Sequence, residues 1–135
     1  MSVIGFNITK IDAEKEKNPS GKVNVESNVS IKKVGTSDVS FGSPDEKVLD
    51  VSFEFKTSYS PEVGHITLGG NLLYLTKEKE AQEIADDWKE TKKLDKTVVK
   101  PILNTILARG NIQALILSRD LNLPAPLRLP KVQDK

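Results

Sequence analysis

The chain has 135 residues, of which 37% are hydrophobic and 29% charged, and its formal net charge at pH 7 is +1. This length suits a single domain with one modest core, and the composition is too apolar for intrinsic disorder. The near balance of charge predicts no strong long-range attraction to nucleic acid or to anionic lipid. Wholly apolar runs reach four residues, as at 114–117, whereas a membrane-spanning helix needs about 20, so no bilayer crossing is expected.

The sequence contains no cysteine, which excludes disulfides, thiolate nucleophiles, iron–sulfur clusters and cysteine-ligated zinc. The amino terminus shows neither a basic opening segment nor a long apolar stretch, so no signal peptide is expected and the cytoplasm is the predicted location. Four Phe, two Tyr and one Trp are few for stacking on single-stranded nucleic acid.

Four segments alternate between apolar and polar residues and are predicted as β-strands, at 3–13, 23–32, 49–56 and 66–74. In the first segment the alternation changes register near Lys10, which indicates a bulge. In the fourth, Gly69 and Gly70 predict a bulge or a bend. The polar segments 14–21 and 35–47 are predicted as connections, the second anchored by Phe41.

Two helices are predicted after the strands. Thr76 is expected to cap the first helix, whose apolar stripe consists of Ala81, Ile84, Ala85 and Trp88. The second helix is expected to carry Pro101 in its first turn and Arg109 in its last turn, and to end at Gly110. The segment 111–119 fits either a helix or a buried extended strand, and both alternatives stay open.

The segment 121–130 contains three of the seven prolines and is predicted to be extended. Its leucines alternate with prolines in a way that gives a polyproline II helix two apolar edges, so the segment is expected to dock on something. Docking on its own sheet or on a sister subunit is favoured over capture of a foreign partner.

No constellation predicts catalysis, and neither a metal nor a cofactor is expected. His65 is the only histidine and has no nucleophile signature near it, and the carboxylates available for a metal site are scattered along the sequence. The acidic residues Glu83, Asp86, Asp87 and Glu90 fall on the polar side of the first helix, which favours a solvated face.

Glycine spacing around residues 64–70 is near that of a phosphate-binding loop, but Asn71 occupies the place of the required lysine, so nucleotide binding is rejected. Lysines 92, 93, 96 and 100 form the densest basic group. Flanking acidic residues and the lack of interleaved aromatics argue against nucleic-acid binding there.

The arrangement of four strands, a long connection and a helix pair resembles the SecB export-chaperone family, and more closely its archaeal SecB-like relatives. The motifs that carry this resemblance are Pro101-Ile102-Leu103, Leu107-Ala108-Arg109-Gly110 and Gln113-Ala114-Leu115-Ile116-Leu117. The resemblance implies an α+β fold, a four-stranded antiparallel sheet with helices packed on one side, assembled as a tetramer of two dimers. It also implies that exposed apolar grooves hold unfolded chains without ATP. Bacterial members meet the secretion motor through strong acidity, which this near-neutral chain lacks.

The predicted function is therefore an ATP-independent holdase in one domain of strands (1–75), helices (76–119) and a Pro/Leu-rich tail (120–135). Its expected partners are unfolded or non-native polypeptides and further copies of itself, as a dimer or tetramer, and the prediction includes a link to protein export. The alternative is a structural or adaptor subunit that binds one folded protein. The candidate polypeptide-binding residues are Leu73, Leu75, Leu115, Leu117, Leu123 and Leu127.

Overall fold

The computed structural model describes residues 2–18, 21–37 and 44–126. Four strands, β1 (Ser2–Lys15), β2 (Asn24–Ser37), β3 (Glu46–Ser60) and β4 (Gly64–Lys77), precede two helices, α1 (Glu78–Thr91) and α2 (Lys96–Asp120). The strands form an antiparallel sheet in the order β1-β4-β3-β2. The predicted α+β class, with a four-stranded antiparallel sheet and helices on one side, is confirmed. No helix in the described part of the chain is long and apolar enough to span a membrane.

The sheet has a Greek-key connection, because β2, β3 and β4 follow one another while β1 pairs with β4. The chain therefore passes from one edge of the sheet to the other between β1 and β2. It leaves β1 along the β3–β4 turn, where the amides of Glu16 and Lys17 both donate to the Val63 carbonyl, at 2.7 and 3.3 Å. Strands β1 and β2 are thus the two edges of the described sheet.

The alternation in β3 separates two faces of the sheet. Leu49, Val51, Phe53 and Phe55 are buried beneath the helices, whereas the residues between them lie on the opposite, open face and are half-buried. The helix-covered face forms one cluster of buried apolar side chains from β2, β3, β4 and both helices, and half-buried residues of β1 pack against it. Within it, the rings of Phe6 and Phe53 stack at a centroid distance of 5.1 Å, which ties β1 to the core.

The register between β1 and β4 shifts between Ile8 and Lys10, which confirms the predicted bulge. The irregularity predicted at Gly69 and Gly70 belongs to β1 instead, since these glycines lie in β4 opposite the bulge. Glycine is needed at position 70 because a Cβ there would collide with the Asn7 carbonyl oxygen. The glycines therefore allow the bulged strand to approach closely.

Helix α1 buries the predicted stripe of Ala81, Ile84, Ala85 and Trp88. The prediction that Thr76 caps it is wrong, because the N-cap is Lys77 and provides no side-chain hydrogen bond. Thr76 is the last buried residue of β4, and its hydroxyl donates to Glu80 Oε2 at 3.0 Å. A buried hydroxyl needs a hydrogen-bond partner, and Thr76 finds one in Glu80. Thr76 is therefore a residue of the strand end, although threonine is a residue type common at helix N-caps.

Helix α2 is 25 residues long and continues through Gly110, so the prediction that the helix ends there is wrong. Gly110 is not in a left-handed conformation. A Cβ at this position would lie 2.8 Å from Cδ2 of Phe55, so the glycine permits close packing of the helix on the sheet. The ambiguous segment 111–119 is helical as a consequence.

The start of α2 also differs from the prediction. Pro101 lies inside the helix, five residues after its first residue Lys96, rather than in the first turn. The Thr105 hydroxyl donates to the Pro101 carbonyl at 2.9 Å. Arg109 is likewise in the middle of the helix and not at its end, and its guanidinium lies 5.1 Å from the ring centroid of Phe6. This cation–π contact joins α2 to β1.

The carboxyl end of α2 is a Schellman motif centred on Asn122, which has φ = 54°. The Asn122 amide donates to the Arg119 carbonyl at 3.2 Å, and the Leu123 amide donates to the Ser118 carbonyl at 2.8 Å. Asparagine tolerates this left-handed conformation better than other non-glycine residues. The motif directs Leu123 into the core, where it is 7% exposed.

The first predicted connection lies two residues later in the chain than expected, and the second is shorter than expected. Strand β1 extends to Lys15, β2 extends to Ser37, and β3 begins at Glu46. The ends of these strands are polar because the open face meets solvent, and polarity at those positions favours a loop prediction. The predicted anchor Phe41 lies outside the described residues.

Candidate functional site

An open apolar groove with a volume of about 360 Å³ lies where edge strand β2 meets the two helices. Strand β2 supplies one wall, the end of α1 a second, and the start of α2 the third. We call this the edge groove, and its lining residues are Val29, Ile31, Trp88, Lys92, Lys93, Leu94, Val99 and Leu103.

The position of β2 at the edge of the sheet leaves this groove open. Val29 and Ile31 face the helices and pair with Phe55 and Phe53 of β3. Phe55 and Phe53 are buried, whereas Val29 and Ile31 remain half-buried because no strand of the described sheet lies beyond them. The outer backbone groups of an edge strand are available to an added strand.

The turn between the helices forms the far end of the edge groove. Lys92 ends α1 in a left-handed conformation with φ = 58°, and its amide donates to the Trp88 carbonyl at 2.9 Å. The turn places Leu94 beside the groove, and α2 then presents Val99 and Leu103, one turn apart, along the same wall.

The rim of the edge groove is basic. The Nζ atom of Lys92 lies 5.8 Å from the ring centroid of Trp88, within the range of a cation–π contact, and Lys93 is beside it. No carboxylate lines the groove within the described residues. The site can bury apolar side chains and can pair with backbone, and it has the form of a binding surface.

A second open groove, of about 440 Å³, lies between the end of α2 and the tail. We call it the tail groove, and it is lined by Leu115, Ile116, Ser118, Arg119, Leu123 and Ala125. Here the tail docks on its own chain, as the favoured prediction stated, at least as far as residues 123–124. The Tyr59 hydroxyl donates to the Pro124 carbonyl at 2.8 Å, and burial raises the pKa of Tyr59 to about 12.

The six candidate binding residues do not form one site. Leu115 and Leu123 meet in the tail groove, while Leu117 is half-buried against the core. Leu73 and Leu75 lie on the open face of the sheet, where Leu73 pairs with Asp50. Leu127 lies outside the described residues.

Sequence reasoning missed the edge groove because its residues fit the periodic pattern of a core. Val29 and Trp88 each fall on an apolar face that packs inward. The missing information is strand order, since only the pairing of β1 with β4 makes β2 an edge. One available signal is that β2 has serine, asparagine or lysine at most positions of its other face.

His65 lies in β4 opposite Glu14 of β1, and its Nε2 atom is 3.4 Å from Asp12 Oδ1. The sequence predicts scattered carboxylates, whereas pairing of the strands brings the ligand atoms of Glu14, Glu16 and His65 within 4.8 Å of one another. Both glutamates are exposed, as carboxylates without an ion often are. The prediction that the acidic side of α1 faces solvent is confirmed. Its four acidic residues are exposed, namely Glu83, Asp86, Asp87 and Glu90.

No protein-family model matches the chain, and no curated protein matches its sequence. Among solved structures, the fold is similar to that of a SecB-like chaperone from Mycobacterium tuberculosis, solved in complex with a ChAD peptide from the HigA1 antitoxin. The two chains share 12% sequence identity at a TM-score of 0.55, over 99% of this chain and 91% of the other. At this identity the likeness shows the fold, and it confirms the resemblance to SecB-like proteins at that level.

Proposed function

We propose that the protein is an ATP-independent holdase chaperone that binds unfolded or non-native polypeptides in the edge groove. The observation that carries the proposal is the combination of an apolar groove with an edge strand along the same line. An extended segment can pair its backbone with β2 while its side chains enter the groove. Folded proteins rarely offer both features in one segment, and unfolded chains offer them often.

The likeness of the fold supports the same reading, because the SecB-like neighbour was solved with a peptide from another protein. The energetics require several contacts. Apolar burial contributes about 25 cal/mol per Å², and the ordering of an extended chain offsets much of it. A single groove of this size is therefore a weak site, and linked grooves in an oligomer bind a long client more tightly.

The proposal includes a homo-oligomer, a dimer or a tetramer. Exposed apolar side chains on α2 support it, since Leu107, Ile112 and Ile116 are 39%, 59% and 41% exposed. The proposal also places the protein in the cytoplasm. Disulfides are rare in that compartment, so a chain without cysteine is suited to it. A link to protein export follows from the SecB resemblance and predicts exported precursors among the clients.

The alternative function, a structural or adaptor subunit, binds one folded partner through the apolar tail and the sheet edge. The described part of the tail, residues 121–126, is docked on its own chain through Leu123 and Pro124. This observation favours the holdase.

Dilution of a chemically unfolded, aggregation-prone protein tests the proposal, with light scattering as the readout. We expect stoichiometric amounts of this protein to suppress scattering without nucleotide, with saturation at a fixed ratio and for several unrelated clients. An equal mass of a folded protein of similar charge is the control. Absence of suppression by folded protein would refute the holdase function.

A further inference from the structure

The edge groove continues into a second recess at the same end of α1. This recess has a volume of about 480 Å³ and lies at edge strand β2, between residues 32–36 of β2, Asp50 and Ser52 of β3 and the end of α1. Trp88 and Lys92 line both the recess and the edge groove. An extended chain bound along β2 therefore passes from one to the other.

Positive charge is concentrated at this place in a chain whose net charge is only +1. Lysines 32, 33, 89 and 92 line the recess, and Lys93 lines the adjoining groove. All five are exposed, and none of them is ion-paired within the described residues. We call these five residues the lysine rim.

The acidic residues near the lysine rim do not neutralise it directly. Among the described residues, Asp50 is the one carboxylate that lines the recess, and its Oδ1 atom accepts a hydrogen bond from Asn71 Nδ2 at 3.1 Å. Glu83, Asp86, Asp87 and Glu90 of α1 are exposed and line neither recess nor groove. Within the part of the chain that the structure describes, the surface thus offers several ammonium groups without an ion-pair partner beside an apolar groove.

We propose that the edge groove and the lysine rim together select polypeptide segments in which apolar residues are directly flanked by Asp or Glu. The inference rests on the proposed function and names the class of segment that it recognises. Carboxylates on either side of the apolar anchor meet the lysines while the anchor is buried against Trp88. Such complementarity raises the association rate and sets preference among clients more than it raises the maximum affinity.

Fluorescence anisotropy with three labelled peptides tests this assignment on the intact protein. The peptides share one apolar core and carry three Asp, three Ser or three Lys residues on each side. We expect the Asp-flanked peptide to bind about tenfold more tightly than the Lys-flanked peptide at low ionic strength. The preference should shrink at 500 mM salt, because exposed charges are screened within about 4–5 Å there.

A pair of charge-matched variants locates the effect. Lys32→Glu/Lys33→Glu is expected to abolish or reverse the preference. Lys10→Glu/Lys56→Glu, which changes the net charge equally at exposed positions away from the recess, should leave the preference in place. Circular dichroism and size-exclusion chromatography show that both variants fold.

The outcomes separate the two proposals. If no peptide binds, the proposed function fails and the selection fails with it. If all three bind equally, the function stands and the selection is overturned. Equal loss of preference in both variants would also overturn it, because net charge would then explain the effect. Displacement of the Asp-flanked peptide by a single-stranded oligonucleotide at lower concentration than by unlabelled peptide would reassign the lysine rim to nucleic acid.

Discussion

The edge groove and the tail groove are similar in size, at about 360 and 440 Å³, and α2 contributes to both. They differ in what the chain itself supplies. The tail groove is bordered by a segment of the same chain, held by buried Leu123 and by the Tyr59 hydrogen bond. The edge groove is bordered by the edge strand of the described sheet and by Lys92 and Lys93 of the lysine rim. Apolar area alone therefore does not identify a binding site. What distinguishes the two grooves is whether a segment of the same chain already packs against the apolar area.

Among the variants that compare the two grooves, Leu123→Ala is expected to have the largest effect, a loss of stability. Removal of a buried leucine side chain should lower the free energy of unfolding by about 2–4 kcal/mol, measured by urea denaturation. Ile116→Ala, at the 41% exposed wall of the same groove, should change stability by less than about 0.5 kcal/mol. Equal costs in the two variants would mean that the tail is not part of the core.

Gly110→Ala tests the close packing of α2 that shapes both grooves. The new Cβ would lie 2.8 Å from the Phe55 ring, and such overpacking costs about 1–3 kcal/mol, against a gain of about 1 kcal/mol in helix propensity. We expect a net destabilisation in thermal denaturation. Asn104→Ala, at an exposed position of the same helix, is the control and should be neutral or slightly stabilising. A more stable Gly110→Ala protein would refute the packing role of the glycine.

Leu103→Ala and Leu115→Ala compare the two grooves as binding sites. Both leucines are half-buried on α2, one in each groove. Loss of the Leu103 side chain should weaken binding of an unfolded peptide about fivefold, near 1 kcal/mol, because it removes apolar contact in the edge groove. Leu115→Ala should leave the dissociation constant unchanged in the same anisotropy assay. The reverse ranking would move the site to the tail groove.

Tyr59→Phe tests the attachment of the tail with a smaller expected effect. Loss of the hydrogen bond to Pro124 should cost about 1 kcal/mol at pH 7.

The pKa of Tyr59 is raised in the folded state, so its contribution to stability is complete below pH 10 and is lost as the pH rises from 10 to about 12. Stability of the Phe variant should therefore fall less over this range. Some alkaline loss should remain, because burial, and then Glu80, raise the pKa of Tyr74 as well. Identical alkaline curves for the two proteins would show that Tyr59 is not buried in this contact.

The strands and α1 were predictable because the spacing of apolar residues in the sequence matches the pattern of burial in the structure. This match is clear from Leu49 to Phe55 in β3 and in the stripe from Ala81 to Trp88 in α1. The end of the second helix was not. Gly110 has the residue type of a helix end but serves close packing, and the true end uses Asn122 in a left-handed conformation. Local sequence cannot separate these roles, because the Phe55 ring that requires the glycine is distant along the chain.

The site was less predictable than the fold. Leucines 115 and 123 do share a groove, but the tail occupies one of its sides. The residues of the edge groove have the sequence pattern of a core, and they are accessible only because β2 is the last strand of the sheet. Strand order is a property of the whole chain, and a periodic pattern within one segment does not contain it.

Trp88 provides the most direct test of the central claim, that clients bind in the edge groove. It is the only tryptophan of the chain, and it lines that groove. The measurement is its emission and its quenching by acrylamide during titration with an unfolded peptide that lacks tryptophan and tyrosine. Because Trp88 is only 9% exposed in the free protein, the account predicts a small blue shift and a further reduction in quenching, with a midpoint equal to the dissociation constant from anisotropy. Saturable binding that leaves both signals of Trp88 unchanged would contradict it.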